Sequence, residues 1–118
     1  MPRPKKSRKV CHLPAVRDFC PEGGSDHRII LTVDEYETIR LIDKEGFSQL
    51  ECAQYMQVAR TTVQSIYNAA REKLAEALVG GVGIRIEGGD YTLCSGEERA
   101  CGCGGCRRHA RTCSGEEA

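Results

Sequence analysis

The sequence has no tryptophan and few aromatic residues of any kind, only 5% of its 118 residues. A hydrophobic core must therefore be mainly aliphatic, and the 40% of hydrophobic residues is enough to form one. No apolar run approaches the ~18 residues that a membrane span requires. The basic N-terminus is not followed by the apolar stretch of a secretory signal. We expect one domain with short appendages, in the cytoplasm and without a membrane partner.

The chain also has no net charge, because 17 basic residues balance 17 acidic ones. The charges are unevenly distributed along the sequence. Residues 1–31 carry a net charge of +4, residues 32–79 carry −3 and residues 80–118 carry −1. A positive excess at one end favours a polyanionic partner for that end.

Proline occurs only in residues 1–26, which we predict to be an irregular basic arm. Residues 27–93 are predicted to form a mainly α domain, and residues 94–118 a tail rich in cysteine and glycine. Capping-box patterns start two helices, one at Thr32 with Glu35 and one at Ser48 with Glu51. The first helix is predicted to end at Gly46.

A tight turn at residues 57–59 and a long helix over about 60–79 are predicted next. Two extended pieces, 83–86 and 91–93, are joined by a glycine-containing link that suits a β-hairpin. A long helix, a short helix, a turn and another helix form the skeleton of a helix-turn-helix. The inward residues predicted to lock the last two helices together are Ala53, Met56, Val58, Val63 and Tyr67.

The start of the third helix would then be free to enter a DNA major groove. Its outward side chains can donate hydrogen bonds to base edges or phosphates. The predicted DNA contacts on this helix are Arg60, Thr61, Thr62, Gln64, Ser65, Asn68 and Arg71.

Three segments carry a resemblance to known proteins: Gly46–Ala53, Val58–Val63 and Ala70–Leu74 resemble region four of bacterial sigma factors. The whole chain is also similar to a small uncharacterised prokaryotic family of predicted DNA-binding proteins. The similarity includes the Met-Pro-Arg-Pro opening and the Arg-Ile-Glu-Gly-Gly segment at residues 85–89. It covers roughly residues 1–92 and implies a sigma-like helix-turn-helix fold and DNA binding.

The turn departs from that pattern, which usually has glycine where this chain has Gln57 and serine where it has Ala59. A left-handed Gln costs on the order of 1 kcal/mol, which a domain can tolerate. Thr61 with Gln64 offers a substitute capping box for the third helix. The net negative charge of residues 32–79 would make this core a poor DNA binder alone.

The N-terminal arm can supply the missing positive charge. It holds five basic residues predicted to contact phosphates, namely Arg3, Lys5, Lys6, Arg8 and Lys9. Pro2 and Pro4 keep this stretch extended, which suits a segment that follows the DNA backbone or lies in a minor groove. The alternative is a solvated tail that aids solubility.

The tail places five thiols between residues 94 and 113 in a segment with almost nothing to bury. In a reducing compartment such a cluster indicates soft-metal or redox chemistry, with zinc or an iron–sulfur cluster as the cofactor. The predicted ligands are Cys101, Cys103, Cys106 and Cys113, with Cys94 or His109 as substitutes. The alternative is a redox-labile tail that binds metal adventitiously. Cys11, His12 and Cys20 could join the site or remain free, whereas Cys52 is predicted to be a buried hydrophobe.

The sequence therefore predicts a sequence-specific binder of double-stranded DNA, a transcriptional regulator that could respond to metal or redox state. No enzyme motif is present, so we expect a protein that is not an enzyme. The alternative function is a protein-interaction module that docks on RNA polymerase or another regulator, with a zinc-stiffened tail. A homodimer would support DNA binding, because one short recognition helix gives limited affinity, but the sequence does not name the dimer face.

Overall fold

The computed structural model describes residues 8–11, 13–24 and 26–93, about half of which are helical. The three α-helices are followed or preceded by short strands, and one π-helical turn continues the first helix. In chain order the elements are β1 (Arg8–Val10), β2 (Asp18–Phe19), β3 (Arg28–Leu31), α1 (Val33–Ile39), the π-helical turn (Arg40–Lys44), α2 (Gln49–Met56), α3 (Arg60–Gly80), β4 (Gly83–Ile86) and β5 (Tyr91–Leu93).

Both predicted capping boxes are confirmed. At the start of α1, the Glu35 N–H donates to Thr32 Oγ1 at 3.4 Å and the Thr32 N–H donates to Glu35 Oε1 at 2.9 Å. At the start of α2, the Glu51 N–H donates to Ser48 Oγ at 3.0 Å and the Ser48 N–H donates to Glu51 Oε1 at 2.8 Å. Each box satisfies two backbone donors that a helix start would otherwise leave unpaired.

The first helix reaches the predicted end at Gly46, but its second half is not α-helical. Residues Arg40–Lys44 form a π-helical turn, in which the Glu45 N–H donates to the Arg40 carbonyl at 2.9 Å. Gly46 then adopts a φ of +85°, which lets the chain leave the helix at low steric cost. The widened turn brings Leu41, which is fully buried, into the core beside α2.

The strands form two small sheets. One sheet has the order β2–β4–β3, with β4 antiparallel to β2 and parallel to β3. The other pairs β1 with β5 in parallel, so that Arg8 lies opposite Tyr91 and Val10 opposite Leu93. The strands at the two ends of the domain are therefore neighbours.

The predicted hairpin of residues 83–86 and 91–93 is wrong, because β4 and β5 lie in different sheets. Their connection is held at the start of α1, where the Val33 N–H donates to the Gly88 carbonyl at 3.0 Å. Gly88 and Gly89 both have positive φ. A Cβ at Gly89 would collide with the side chains of Thr32 and Asp34. The glycines thus permit close packing against α1 instead of forming a hairpin turn.

The described part of the arm also differs from the irregular segment that we predicted. Residues 8–10 and 18–19 form β1 and β2, and Val10 and Cys11 are fully buried. Their partners, β5 and β4, lie near the other end of the domain, and local prolines carry no information about such pairing. Residues 8–11 and 13–24 therefore belong structurally with residues 27–93.

The core consists of two clusters, and α3 contributes residues to both of them. One contains Leu41, Met56 and Val63, and the other contains Leu31, Ala70 and Ile86. Val63, Ala70 and Ala77 form the buried side of α3, whereas Leu78 is 83% exposed. None of the helices among the described residues combines the length and apolarity needed to cross a membrane.

Candidate nucleic-acid interface

Helices α2 and α3 are joined by a three-residue turn, residues 57–59. Gln57 ends α2 with φ 63° and ψ 43°, as the sequence predicted for this position. The Val58 N–H donates to the Ala53 carbonyl at 3.1 Å, and the chain then enters α3 through the extended Ala59. One left-handed residue thus sets the angle at which α3 leaves α2.

The two helices are held together by apolar side chains from both of them. Ala53, Met56 and Val63 are buried in one cluster, and Val58 packs against it. Tyr67, the fifth predicted locking residue, is only half-buried. Its hydroxyl donates to Asp43 Oδ1 at 2.8 Å, which ties α3 to the π-helical turn. The predicted lock is therefore confirmed at four positions, and at the fifth a hydrogen bond supplements partial burial.

Cys52 lies inside the same cluster, as predicted. Its Sγ lies 3.6 Å from Met56 Sδ, and burial raises the pKa of the thiol to about 12. A thiol with such a pKa is protonated at neutral pH and is a poor metal ligand or nucleophile. Cys52 therefore serves as a small apolar core residue.

The N-terminal half of α3 presents most of the predicted DNA contacts to solvent. Exposed are Arg60, Thr61, Gln64, Ser65, Asn68 and Arg71, while Thr62 is half-buried. No acidic residue occurs between Val58 and Arg71. This exposed surface, named here the α3 polar face, carries two guanidinium groups and several amide and hydroxyl groups.

The two arginines of the α3 polar face are oriented by neighbouring side chains. Arg60 Nη1 donates to Gln49 Oε1 at 3.4 Å, and the Arg71 guanidinium lies 5.4 Å from the centre of the Tyr67 ring. The sequence did not predict that Gln49 contributes to this site, because a glutamine in the first turn of α2 gives no indication of a contact with α3. These contacts hold a positive group near each end of the face.

The substitute cap predicted from Thr61 and Gln64 is wrong. The helix begins at Arg60 with Ala59 as its N-cap, and no side chain caps it. Thr61 lies inside the first turn, whereas a capping residue must be extended. The first backbone N–H groups of α3 therefore have no side-chain cap, and they lie beside Arg60.

The acidic residues of α1 are turned into the fold and paired. Lys73 Nζ lies 2.8 Å from Glu35 Oε1, and Arg40 Nη2 lies 2.9 Å from Glu37 Oε2. Asp34 lies beside Arg8, with 3.9 Å between Oδ2 and Nε. Two of these carboxylates pair with cations of the same segment and one pairs with Arg8, and no acidic residue lies between Val58 and Arg71, so the net charge of residues 32–79 is a poor guide to the charge of the α3 polar face.

The basic residues in the described part of the arm contact other residues of the domain. The Arg8 guanidinium lies 3.6 Å from Asp90 Oδ2, and its side chain is 14% exposed. The Lys9 ammonium lies 4.7 Å from the centre of the Tyr55 ring on α2. These two residues form intramolecular contacts in the extended strand β1, and their contacts with phosphates stay a prediction. Arg3, Lys5 and Lys6 lie outside the described residues.

The predicted metal ligands also lie outside the described residues. They are Cys94, Cys101, Cys103, Cys106, His109 and Cys113, and His12 lies outside as well. Cys11 is buried and Cys20 is exposed. Within the part of the chain that the structure describes, no three His, Cys, Asp or Glu side chains form a group that could hold a metal ion.

A family model described as "protein of unknown function DUF134" matches residues 1–94. The chain belongs to the DUF134 family. A UPF0251 protein of Desulfitobacterium hafniense (strain DSM 10664 / DCB-2) is 57% identical over 121 aligned residues, covering 99% of this chain and 97% of the relative. A UPF0251 protein of Caldicellulosiruptor bescii is 49% identical, covering 88% and 74% respectively. One of Ruminiclostridium cellulolyticum is 43% identical, covering 96% and 84%.

No solved structure matches the chain. Membership of an uncharacterised prokaryotic family is thus confirmed, and the likeness to sigma region four stays a prediction. The DUF134 match spans the basic arm and every described helix and strand, and it ends one residue after β5. The α3 polar face therefore lies within the part of the chain that defines the family.

Proposed function

We propose that this DUF134 protein binds double-stranded DNA through the α3 polar face and acts as a transcriptional regulator. The observation that carries the proposal is an exposed, acid-free polar row at the start of a helix that α2 and the core hold rigidly. Helix-turn-helix proteins place the corresponding helix in the major groove. An α-helix with its side chains is about 10–12 Å wide, close to the ~12 Å width of that groove.

The spacing of the polar side chains suits base contacts. Arg60, Gln64 and Asn68 recur every four residues and share one side of α3. The row extends about 12 Å along the helix, since each residue rises about 1.5 Å. That length matches three to four base pairs at about 3.4 Å each. Arg pairs with guanine and Gln or Asn with adenine, so each residue has a preferred base.

Only a few groups would supply the electrostatic attraction between this protein and DNA phosphates. Arg60 and Arg71 supply positive charge on the face, and the uncapped N–H groups of α3 suit a phosphate oxygen. Arg8 and Lys9 are engaged inside the domain, so additional phosphate contacts would have to come from Arg3, Lys5 and Lys6. We therefore expect a modest dependence of DNA affinity on salt.

The alternative is docking on RNA polymerase or another regulator without DNA contact. One observation favours it, because Leu50 on α2 is 53% exposed beside Gln49 and supplies an apolar contact next to the polar face. Protein interfaces commonly have an apolar centre, whereas phosphate contacts are polar. Binding to naked DNA distinguishes the two proposals.

The test is binding of the full chain to duplexes selected from a random pool, followed by fluorescence anisotropy at several salt concentrations. Gln64→Ala should weaken binding to the selected site by about tenfold or more, because a good base contact discriminates by about 1–3 kcal/mol. Arg71→Ala should weaken all duplexes alike and reduce the salt slope by about one.

Arg85→Ala is the matched control for the arginine change, since Arg85 is exposed on β4 away from α3's first turns. It should leave both affinity and salt slope unchanged. The DNA proposal fails if no duplex binds even at low salt, or if Arg85→Ala and Arg71→Ala have equal effects. Binding to a polymerase subunit without any DNA binding would support the docking alternative.

A further inference from the structure

The far end of α3 carries a second surface, which the proposed function does not use. Leu78 and Val79 are 83% and 87% exposed, the highest values among the large hydrophobic residues that the structure describes. Residues 77–84 contain no charged side chain. Two adjacent apolar residues this exposed at the end of a helix indicate a surface that is covered in the working molecule.

A groove lies directly beside these residues. It has a volume of about 510 Å³ and runs between the end of α3 and the β2–β4 edge. Phe19, Leu74, Leu78 and Ile84 contribute to its walls, and Phe19 is half-exposed. We call the groove together with Phe19, Leu78 and Val79 the apolar end face. It therefore combines protruding apolar side chains with a recess of comparable chemistry.

We propose that the apolar end face joins two copies of this chain in a two-fold symmetric homodimer. In such a dimer the same surface is used on both copies, so it must be complementary to itself. Leu78 and Val79 form a ridge beside the groove. The condition is met because the ridge of each copy can insert into the groove of the other. The strand β2 at this edge is the outer strand of its sheet.

The charge distribution favours a second copy as the occupant. Near a two-fold axis any charged group approaches its own equivalent, which costs free energy. The segment 77–84 brings no such group to the axis. A charged protein partner would instead be recognised by opposite charges, and the apolar end face offers none in that segment.

The available area is compatible with the centre of a stable interface. Phe19, Leu78 and Val79 each expose on the order of 100 Å². Two copies would therefore bury about 600 Å² of apolar surface at the centre of an interface whose total is typically about 1,200–2,000 Å². The exposed residues Glu22 and Glu76, which adjoin groove residues in sequence, can belong to the polar rim.

Pairing at this end leaves the α3 polar face uncovered. The 21 residues of α3 extend over about 31 Å, since each rises about 1.5 Å. A dimer would thus present two polar faces, one at the outer end of each α3. This consequence for DNA rests on the proposed function, whereas the pairing itself can be measured without DNA.

The experiment is sedimentation velocity of the reduced full chain over a range of concentrations. The wild-type protein should sediment as two 13.0 kDa chains in the micromolar range. Leu78→Glu and Val79→Lys should each weaken pairing by at least about 100-fold, because each places two like charges in an apolar contact. Leu50→Glu, the same kind of change at an exposed leucine on α2, should leave the dimer intact.

Circular dichroism spectra of the variants provide the folding control, and both substituted positions are too exposed to disturb the core. A wild-type protein that is monomeric throughout would overturn the proposal and assign the apolar end face to residues 94–118 or to another protein. A dimer that survives both Leu78→Glu and Val79→Lys would overturn it as well. A dimer that fails to bind DNA would overturn only the proposed function.

Discussion

Individual side chains decide how much of this domain's charge is available to a partner. Glu37 is fully buried, and its carboxylate accepts hydrogen bonds from the Cys11 N–H at 3.1 Å and from Arg40 Nε at 2.9 Å. Such a carboxylate contributes to the formal charge of the sequence and not to the surface that DNA would meet. A buried pair of this kind also couples residues, since removal of one partner leaves the other charge uncompensated.

Cys52 offers a prediction about pH. Its thiol has a pKa near 9.0 when the chain is unfolded, and burial raises the pKa in the folded state to about 12. The stabilising contribution is therefore fully present below about pH 9 and is lost as the pH rises through about 12. Between neutral pH and about pH 10, the free energy of unfolding should fall by about 1 kcal/mol more in the wild-type protein than in the Cys52→Ala variant.

Denaturant unfolding at neutral pH and near pH 10 measures this difference. Cys20→Ala is the matched control, because Cys20 is exposed, and it should show the same pH-dependent loss as the wild-type protein. Equal losses in Cys52→Ala and Cys20→Ala would contradict a buried, neutral thiol at position 52.

At the scale of elements, the turn between α2 and α3 depends on a residue type that is poorly suited to it. Gln57 has a φ of 63°, a conformation that glycine adopts without steric cost. Gln57→Gly should therefore stabilise the domain by about 0.5–1 kcal/mol. Urea unfolding followed by circular dichroism gives the value.

Gln54→Gly is the matched control, since Gln54 is exposed within α2 and has helical geometry. There glycine should destabilise by about 1 kcal/mol, because it replaces a better helix former. A loss of stability in both variants would show that the left-handed conformation at Gln57 carries no strain.

Local elements could be predicted from the sequence because their causes are local. The pair Thr32 and Glu35 is three residues apart, and a capping box is decided within that distance. The same holds for Ser48 with Glu51, and for the left-handed turn at Gln57 between two amphipathic segments. The start of α3 was the exception, since Thr61 and Gln64 fit the pattern although the helix already begins at Arg60.

Strand pairing could not be predicted, since its causes lie far apart in the chain. Residues 83–86 and 91–93 have the composition of a hairpin, but each finds a better partner elsewhere. For the candidate site, the exposed row on α3 followed from helical periodicity. The burial of the α1 carboxylates did not, because Lys73 and Arg8 reach them only in the folded chain.

The whole molecule is organised around α3, whose two ends differ in chemistry. The N-terminal half carries the α3 polar face, Val63 and Ala70 contribute to the two core clusters, and the C-terminal end carries the apolar end face. This separation would let one helix serve the two proposed partners without competition. A change at either end is expected to leave the surface at the other end intact.

The pairing of β1 with β5 predicts that β1 stabilises the domain. Deletion of residues 2–11 should lower the melting temperature by about 10 °C or more relative to deletion of residues 2–7. The longer deletion removes β1 together with Val10 and Cys11, which are fully buried. Thermal melting followed by circular dichroism compares the two truncations. Equal melting temperatures would mean that β1 adds nothing to stability.

The parallel pairing of β1 with β5 also has a consequence for synthesis. The ribosome makes residues 8–10 long before their partners, residues 91–93, which are added only after α3 is complete. Val10 shares a buried cluster with Ala70 and Ile86, so that cluster cannot close before α3 and β4 have been synthesised. The pairing of β1 with β5 is therefore among the last contacts of the described domain to form during synthesis.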